Sequence, residues 1–180
     1  MMSPGMEPVP GAGQHPEMHR PIAVDRVGPH GHAAEIKATT AECAAIAGRL
    51  RLPSIASLRC RFQLHPLPGG RVAASGSLHV VLSQICVVTL EPFTATIKEE
   101  FRIRFVPDGR ESDDPDPESE DEIPYPDAEI DLGEAAVEQL ALALDAYPRA
   151  PGAILAEAPD DDAALPFAGL AGFGRKNQTS

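Results

Sequence analysis

The chain has 180 residues, 43% of them hydrophobic, and a formal net charge of −12. This length suits one domain with its own core, and the acidic charge opposes non-specific attraction to nucleic acid or anionic lipid, so any RNA contact needs a local basic patch. No apolar run is long enough to span a bilayer or to form a signal-peptide core, so we expect a cytoplasmic protein without a membrane partner.

The first elements are a tail, two short strands and a helix. Residues 1–19 offer too little apolar surface to offset the entropy of ordering, which predicts a disordered tail. Short strands are expected at 20–24 and 35–39. Thr39 and Glu42 have the spacing of a capping box at the start of a helix. The apolar residues that follow at helical spacing are Cys43, Ile46, Ala47 and Leu50.

Apolar and polar residues then alternate along three longer segments, 58–65, 72–82 and 93–105. A Pro/Gly turn at 66–70 separates the first two segments, and a turn near 90–92 precedes the third. Alternation with a period of two predicts antiparallel strands with one face packed and the other exposed to water.

The segment 107–127 is rich in acids and prolines, and we predict a long, mobile acidic loop. Its candidate contact residues are Asp113, Asp114, Asp116, Glu118, Glu120, Asp121 and Glu122. Three roles stay open for this loop. It would mimic nucleic acid and hold a basic ribosomal protein, fold over a basic surface and screen it, or serve only as a solubilising insertion.

A second helix is predicted after the loop. Asp131 and Glu134 have the spacing of another capping box, and Tyr147-Pro148 follows the apolar stripe of the helix. The stripe consists of Val137, Leu140 and Leu144. The fold expected is therefore one α+β domain over 20–155, with an antiparallel sheet of about five strands, two main helices and a C-terminal tail at 156–180.

Motifs that carry chemistry are missing from the sequence. It has no Gly-x-Ser-x-Gly elbow, no phosphate-binding Gly-rich loop and no Cys-x-x-Cys pair. Cys43 and Cys60 lie on apolar faces, where they are expected to pack. We therefore expect that the protein is not an enzyme and that it uses no cofactor, metal ion or small-molecule substrate.

Basic residues follow the polar faces of two predicted strands. They are Arg59, Arg61, Lys98, Arg102 and Arg104. If the strands share a sheet, these side chains form a basic patch that would contact RNA phosphates. The alternative is a solvated face whose arginines pair with nearby acids.

The segment 76–93 is similar to the central signature of the YceD family, the large ribosomal RNA subunit accumulation proteins. A strand leads to Cys86, then to Leu90-Glu91-Pro92, and then to a strand ending in aromatic residues. The acidic loop, Glu129-Ile130-Asp131-Leu132-Gly133 and a Leu-rich helix follow in the family's order, and Tyr147-Pro148 resembles alphaproteobacterial-type members.

The resemblance implies a bacterial accessory factor for accumulation of large-subunit ribosomal RNA, with ribosomal RNA or large-subunit ribosomal proteins as partners. An acidic adaptor or holdase for basic proteins, unconnected with ribosomes, is the alternative. Many relatives carry Cys pairs that look like a zinc site. Here Thr89 stands where the second Cys of the central turn would be, so zinc is not carried over and Cys86 is expected to pack at the turn.

Overall fold

The computed structural model describes residues 16–111 and 121–154, and it contains seven strands and two α-helices in that part of the chain. The strands are β1 (Pro21–Ala23), β2 (His32–Lys37), β3 (Ser54–Pro66), β4 (Val72–Ile85), β5 (Pro92–Pro107), β6 (Asp121–Tyr125) and β7 (Glu129–Asp131). The helices are α1 (Thr40–Arg49) and α2 (Leu132–Ala143). The predicted α+β class and the two helices are confirmed.

The main sheet has the strand order β2-β3-β4-β5-β6, and the first four strands are antiparallel neighbours. β6 instead runs parallel to β5, pairing Asp121 with Ile103 and Tyr125 with Pro107. The sheet is therefore mixed, and the prediction of a purely antiparallel sheet is wrong at this edge. A parallel pair requires that β6 begin at the level of Ile103, within β5, and not at the end of β5 as a hairpin would.

The prediction of a loop throughout 107–127 is wrong at 121–125, which form β6. Asp121 and Glu122 lie on β6, and Tyr125 at its end is buried. The other candidate acids of the loop, Asp113, Asp114, Asp116, Glu118 and Glu120, lie outside the described residues. Sequence reasoning missed the strand because the charge and prolines around it are typical of a loop.

Both helices cover the same face of the sheet, where the core lies. The largest fully buried side chains include Phe62, Phe105, Ile46 and Leu140. The predicted inward-facing residues of β3 and β4 are buried except Gly76, which is partly exposed, and this confirms the period-two pattern. Among the described residues, no helix is long and apolar enough to cross a membrane.

The two helix starts differ. In α1 the capping box is complete, because Thr39 N–H donates to Glu42 Oε2 at 2.7 Å and Glu42 N–H donates to Thr39 Oγ1. In α2 the Asp131 carboxylate accepts from the N–H of Gly133 at 2.8 Å, but Glu134 pairs with Arg49 at 2.7 Å. The second capping box is thus only half formed.

The chain before β1 packs against the domain. Met18 is fully buried, and His19 Nδ1 lies 2.6 Å from Asp131 Oδ2. β1 pairs with β7 in a separate two-stranded sheet. The predicted tail at 1–19 therefore contains residues, 16–19, that contribute to the fold, while 1–15 and 155–180 lie outside the described residues.

Candidate nucleic-acid interface

The five candidate basic residues lie on one face of the main sheet. β4 lies between β3 and β5, so both basic strands belong to one sheet. On β3 the even-numbered residues from Leu58 to Leu64 are buried and Arg59 and Arg61 are exposed, while on β5 Phe101, Ile103 and Phe105 are buried. Lys98, Arg102 and Arg104 therefore point away from the core, because successive side chains alternate between faces. The structure thus brings the basic residues of two separate strands, β3 and β5, onto one face.

The register aligns four basic or titratable side chains across four strands. Lys37 is opposite Arg59, Arg59 is opposite His79, and His79 is opposite Lys98. We call these residues the basic row. Neighbouring strands are about 4.8 Å apart, so the row extends roughly 14 Å across the sheet. Sequence analysis missed Lys37 and His79, although their positions in the polar phase of β2 and β4 are the signal that would have identified them.

Acidic side chains neutralise part of this face. The Glu35 carboxylate lies 3.0 Å from Lys37, 3.0 Å from Arg61 and 3.6 Å from Arg59. The hydrogen bonds from Arg61 and then from Lys37 lower the pKa of Glu35. Arg104 lies 3.4 Å from Glu122 on β6. For these arginines the reading of a solvated face with local acid partners has direct support.

Lys98 and Arg102 differ from the other candidates. Both are exposed, and neither has a carboxylate partner in the part of the chain that the structure describes. Arg102 is opposite Ser75, whose small side chain leaves its guanidinium open to solvent. These two cations are the free charges of the candidate site.

A polar depression lies beside Arg102. Its volume is about 580 Å³, and its polar lining residues are Arg61, Gln63, Ser75, Ser77, Glu100 and Arg102, with Gly76 and Phe101 between them. The serines of β4 form its centre, since larger side chains stand on the neighbouring strands. Cations, a carboxamide and hydroxyls are donors that suit phosphate oxygens.

The face has a charge opposite to that of the whole chain. Among the described residues on this face, the cations Lys37, Arg59, Arg61, Lys98, Arg102 and Arg104 outnumber the carboxylates Glu35, Glu100 and Glu122. The chain as a whole carries −12. A local basic surface on an acidic protein is what the sequence analysis required for any contact with RNA.

Cys86 occupies a different environment, in the turn between β4 and β5. The thiol is buried, and its Sγ accepts hydrogen bonds from the N–H of Ala150 at 3.3 Å and of Thr89 at 3.5 Å. The bonds from Thr89, then the one from Ala150, lower the pKa of Cys86 to about 7. Burial raises the pKa of Cys60 to about 12. Cys86 therefore packs at the turn, as expected. Its Sγ also accepts the hydrogen bond that joins the segment after α2, at Ala150, to this turn.

A metal site needs several ligand side chains grouped closely enough to reach one ion. Within residues 16–111 and 121–154, no three His, Cys, Asp or Glu side chains are grouped to bind one.

These features define the class of protein as a sheet-rich α+β domain with one open, basic sheet face. Residues 74–167 match the family model of large ribosomal RNA subunit accumulation protein YceD. Since the match spans more than half of the chain, the protein belongs to the YceD family, as the sequence resemblance indicated. The family name associates it with accumulation of large-subunit ribosomal RNA. No curated protein and no solved structure matches the chain.

Proposed function

We propose that the protein is a non-enzymatic factor of the bacterial cytoplasm that supports accumulation of large-subunit ribosomal RNA by binding RNA through the polar face of its sheet. The family membership supports the ribosomal role. The observation that carries the binding mode is the pair of free cations, Lys98 and Arg102, on a sheet face where the described cations outnumber the carboxylates.

The surface suits the phosphate backbone better than the bases. Among the described residues, no Phe or Tyr side chain projects from the strands onto this face, and His65 and His79 are its only aromatic rings, so it lacks the broad aromatic platform that single-strand readers use. Arg102 and the serines beside it supply donors for phosphate oxygens. Binding of this kind is weakly dependent on sequence and strongly dependent on salt.

The double variant K98Q/R102Q tests the binding mode. We expect weaker binding to a fragment of large-subunit ribosomal RNA, and a plot of log affinity against log salt whose slope is reduced by about 1.5, since each lost phosphate contact contributes about 0.7–0.9. The matched control is R26Q/R149Q, which removes two exposed arginines away from this face. Equal loss in both variants would indicate a general charge effect and contradict the proposed surface.

The cellular role is tested by the ratio of large- to small-subunit ribosomal RNA in the source bacterium. Depletion of the protein is expected to lower this ratio, with recovery on expression of the natural chain but not of K98Q/R102Q. An unchanged ratio would contradict the ribosomal role. It would then favour an acidic adaptor for basic proteins, whose binding would be lost when residues 112–119 are deleted.

A further inference from the structure

A groove runs along the β6 edge of the sheet, on the side of the molecule that carries α2. Its volume is about 390 Å³. The consecutive residues 123–127 form one wall, so the groove follows the edge strand and the turn after it. The buried residues Phe105 and Ala135 form its floor, and Pro16 is also among the residues that line it.

The floor and wall of this groove are largely apolar. Phe105 and Ala135 are buried beneath it, Ile123 is partly buried, and Pro124 and Pro126 are exposed. Two prolines in the wall remove backbone N–H donors, so an added β-strand would find few partners there. An occupant would therefore be held mainly by its side chains.

Five carboxylates surround the apolar floor, and they fall into two groups. Asp131 is occupied as the N-cap of α2 and as the partner of His19, and Glu134 is paired with Arg49. The other three have no ion pair within the described residues: Asp127, Glu129 and Glu138. Burial, followed by the charge of Glu134, raises the pKa of Glu138.

Unpaired carboxylates beside an apolar floor favour a ligand that brings cations and apolar surface together. Long basic side chains have this character, because their methylene stems pack on apolar surface while their heads reach an acid. We propose that the groove binds an extended segment of a partner protein in which lysine or arginine alternates with apolar residues. The proposal goes beyond RNA binding and uses a different surface.

The composition of the chain itself argues for a partner in trans. Residues 1–15 and 112–120 contain no lysine or arginine, and 155–180 contain only Arg175 and Lys176. A second copy of the chain would bring another net charge of −12 to an acidic groove. Electrostatic complementarity therefore favours a basic partner.

The direct test uses a short fluorescein-labelled peptide of alternating lysine and valine or leucine, titrated with the full chain by fluorescence anisotropy. E129Q/E138Q should weaken binding about tenfold or more, since two charge-assisted contacts are lost. The matched control E91Q/E99Q removes two exposed carboxylates elsewhere and should bind normally. Equal loss in both variants would overturn the proposal.

A second peptide separates the groove from simple charge attraction. A lysine/glycine peptide of the same length and charge should bind about tenfold more weakly or worse, because it offers no apolar side chain to the floor. Equal affinity for the two peptides would show that the floor is unused and would overturn the proposal. Urea unfolding of each variant confirms that the fold is retained.

Other occupants give distinct results. Tighter peptide binding by the full-length variant R175Q/K176Q would place the chain's own C-terminal residues in the groove. A molecular mass in solution that is lower for E129Q/E138Q than for the natural chain would place a second copy there. Either result would overturn the proposal. K98Q/R102Q should bind the peptide normally and RNA weakly. E129Q/E138Q should bind RNA normally and the peptide weakly, so failure of one proposal can be told apart from failure of the other.

Discussion

Gly133 in the first turn of α2 lies directly against the backbone carbonyl of Met18. A Cβ on Gly133 would overlap the Met18 oxygen and lie 2.7 Å from the carbonyl carbon. The chain before β1 therefore crosses α2 at a distance that only glycine permits. Met18 is fully buried at this crossing, so the contact joins the beginning of the described chain to the last helix.

We predict that G133A destabilises the protein by about 2–3 kcal/mol or more, since the overlapping atoms are backbone and cannot rotate away. The control is G48A in α1, where an added Cβ meets no atom within 4 Å. There alanine should stabilise by about 0.5–1 kcal/mol through its higher helix propensity. Urea unfolding measures both, and a neutral G133A would contradict the close approach.

Gly76 and Phe101 form a second glycine-dependent contact, across β4 and β5. The Phe101 ring covers Gly76 and meets Phe62 edge-on with centroids 5.6 Å apart. A Cβ on Gly76 would overlap the ring. G76A should cost about 2 kcal/mol in the natural chain and much less in an F101L background. A double-mutant cycle of urea unfolding measures this, and additive costs would contradict it.

Glu42 predicts a pH dependence of stability. Arg20 donates to both its carboxylate oxygens, at 2.8 and 2.9 Å, and these bonds, with those from Thr39, lower the pKa of Glu42 to about 2. Because the folded pKa lies below the unfolded value, the stabilisation is present above about pH 4.5 and is lost as the pH falls toward 2.

E42Q should therefore be about 1–2 kcal/mol less stable than the natural chain near neutral pH, where it loses the ion pair and part of the cap. The difference should shrink as the pH approaches 2. Urea unfolding at several pH values measures it. E99Q, which changes an exposed carboxylate without an ion pair, is the control. A constant difference for E42Q across this range would contradict the linkage.

Cys86 predicts a second pH dependence of the folding stability, in the neutral to alkaline range. Its folded pKa of about 7 lies below the ordinary thiol value of 9.0, so the thiolate favours the folded state. The natural chain should gain stability relative to C86S as the pH rises from about 7 to 9, because a serine hydroxyl does not ionise in this range. Urea unfolding under reducing conditions checks this.

The same turn links Cys86 to the chain after α2. C86A removes the acceptor of the Ala150 and Thr89 N–H groups, so amide exchange at Ala150 should become faster than in C86S, which keeps an acceptor. Unchanged exchange at Ala150 in C86A would show that Sγ does not hold this segment. The backbone hydrogen bond from Val87 N–H to Pro148 O also joins the turn to this segment, and it is retained in C86A.

Local pattern in the sequence determined the two helices, the alternating strands β3 to β5 and the placement of five basic residues in polar phases. Helix caps and period-two alternation depend on residues close in sequence, so they can be read without the fold. The same local reasoning assigned Asp121–Tyr125 to a loop, because its acids and prolines carry no sign of the parallel partner on β5.

Only the tertiary structure decided which charges are free. The register puts Glu35 beside Arg59 and Arg61, and Glu122 beside Arg104, leaving Lys98 and Arg102 without a described acidic partner. It likewise joined residues of β5, β6 and α2 into one apolar, acidic groove. Ion pairs and grooves depend on contacts between residues far apart in the chain. Their positions follow from strand order and register, which no local pattern specifies.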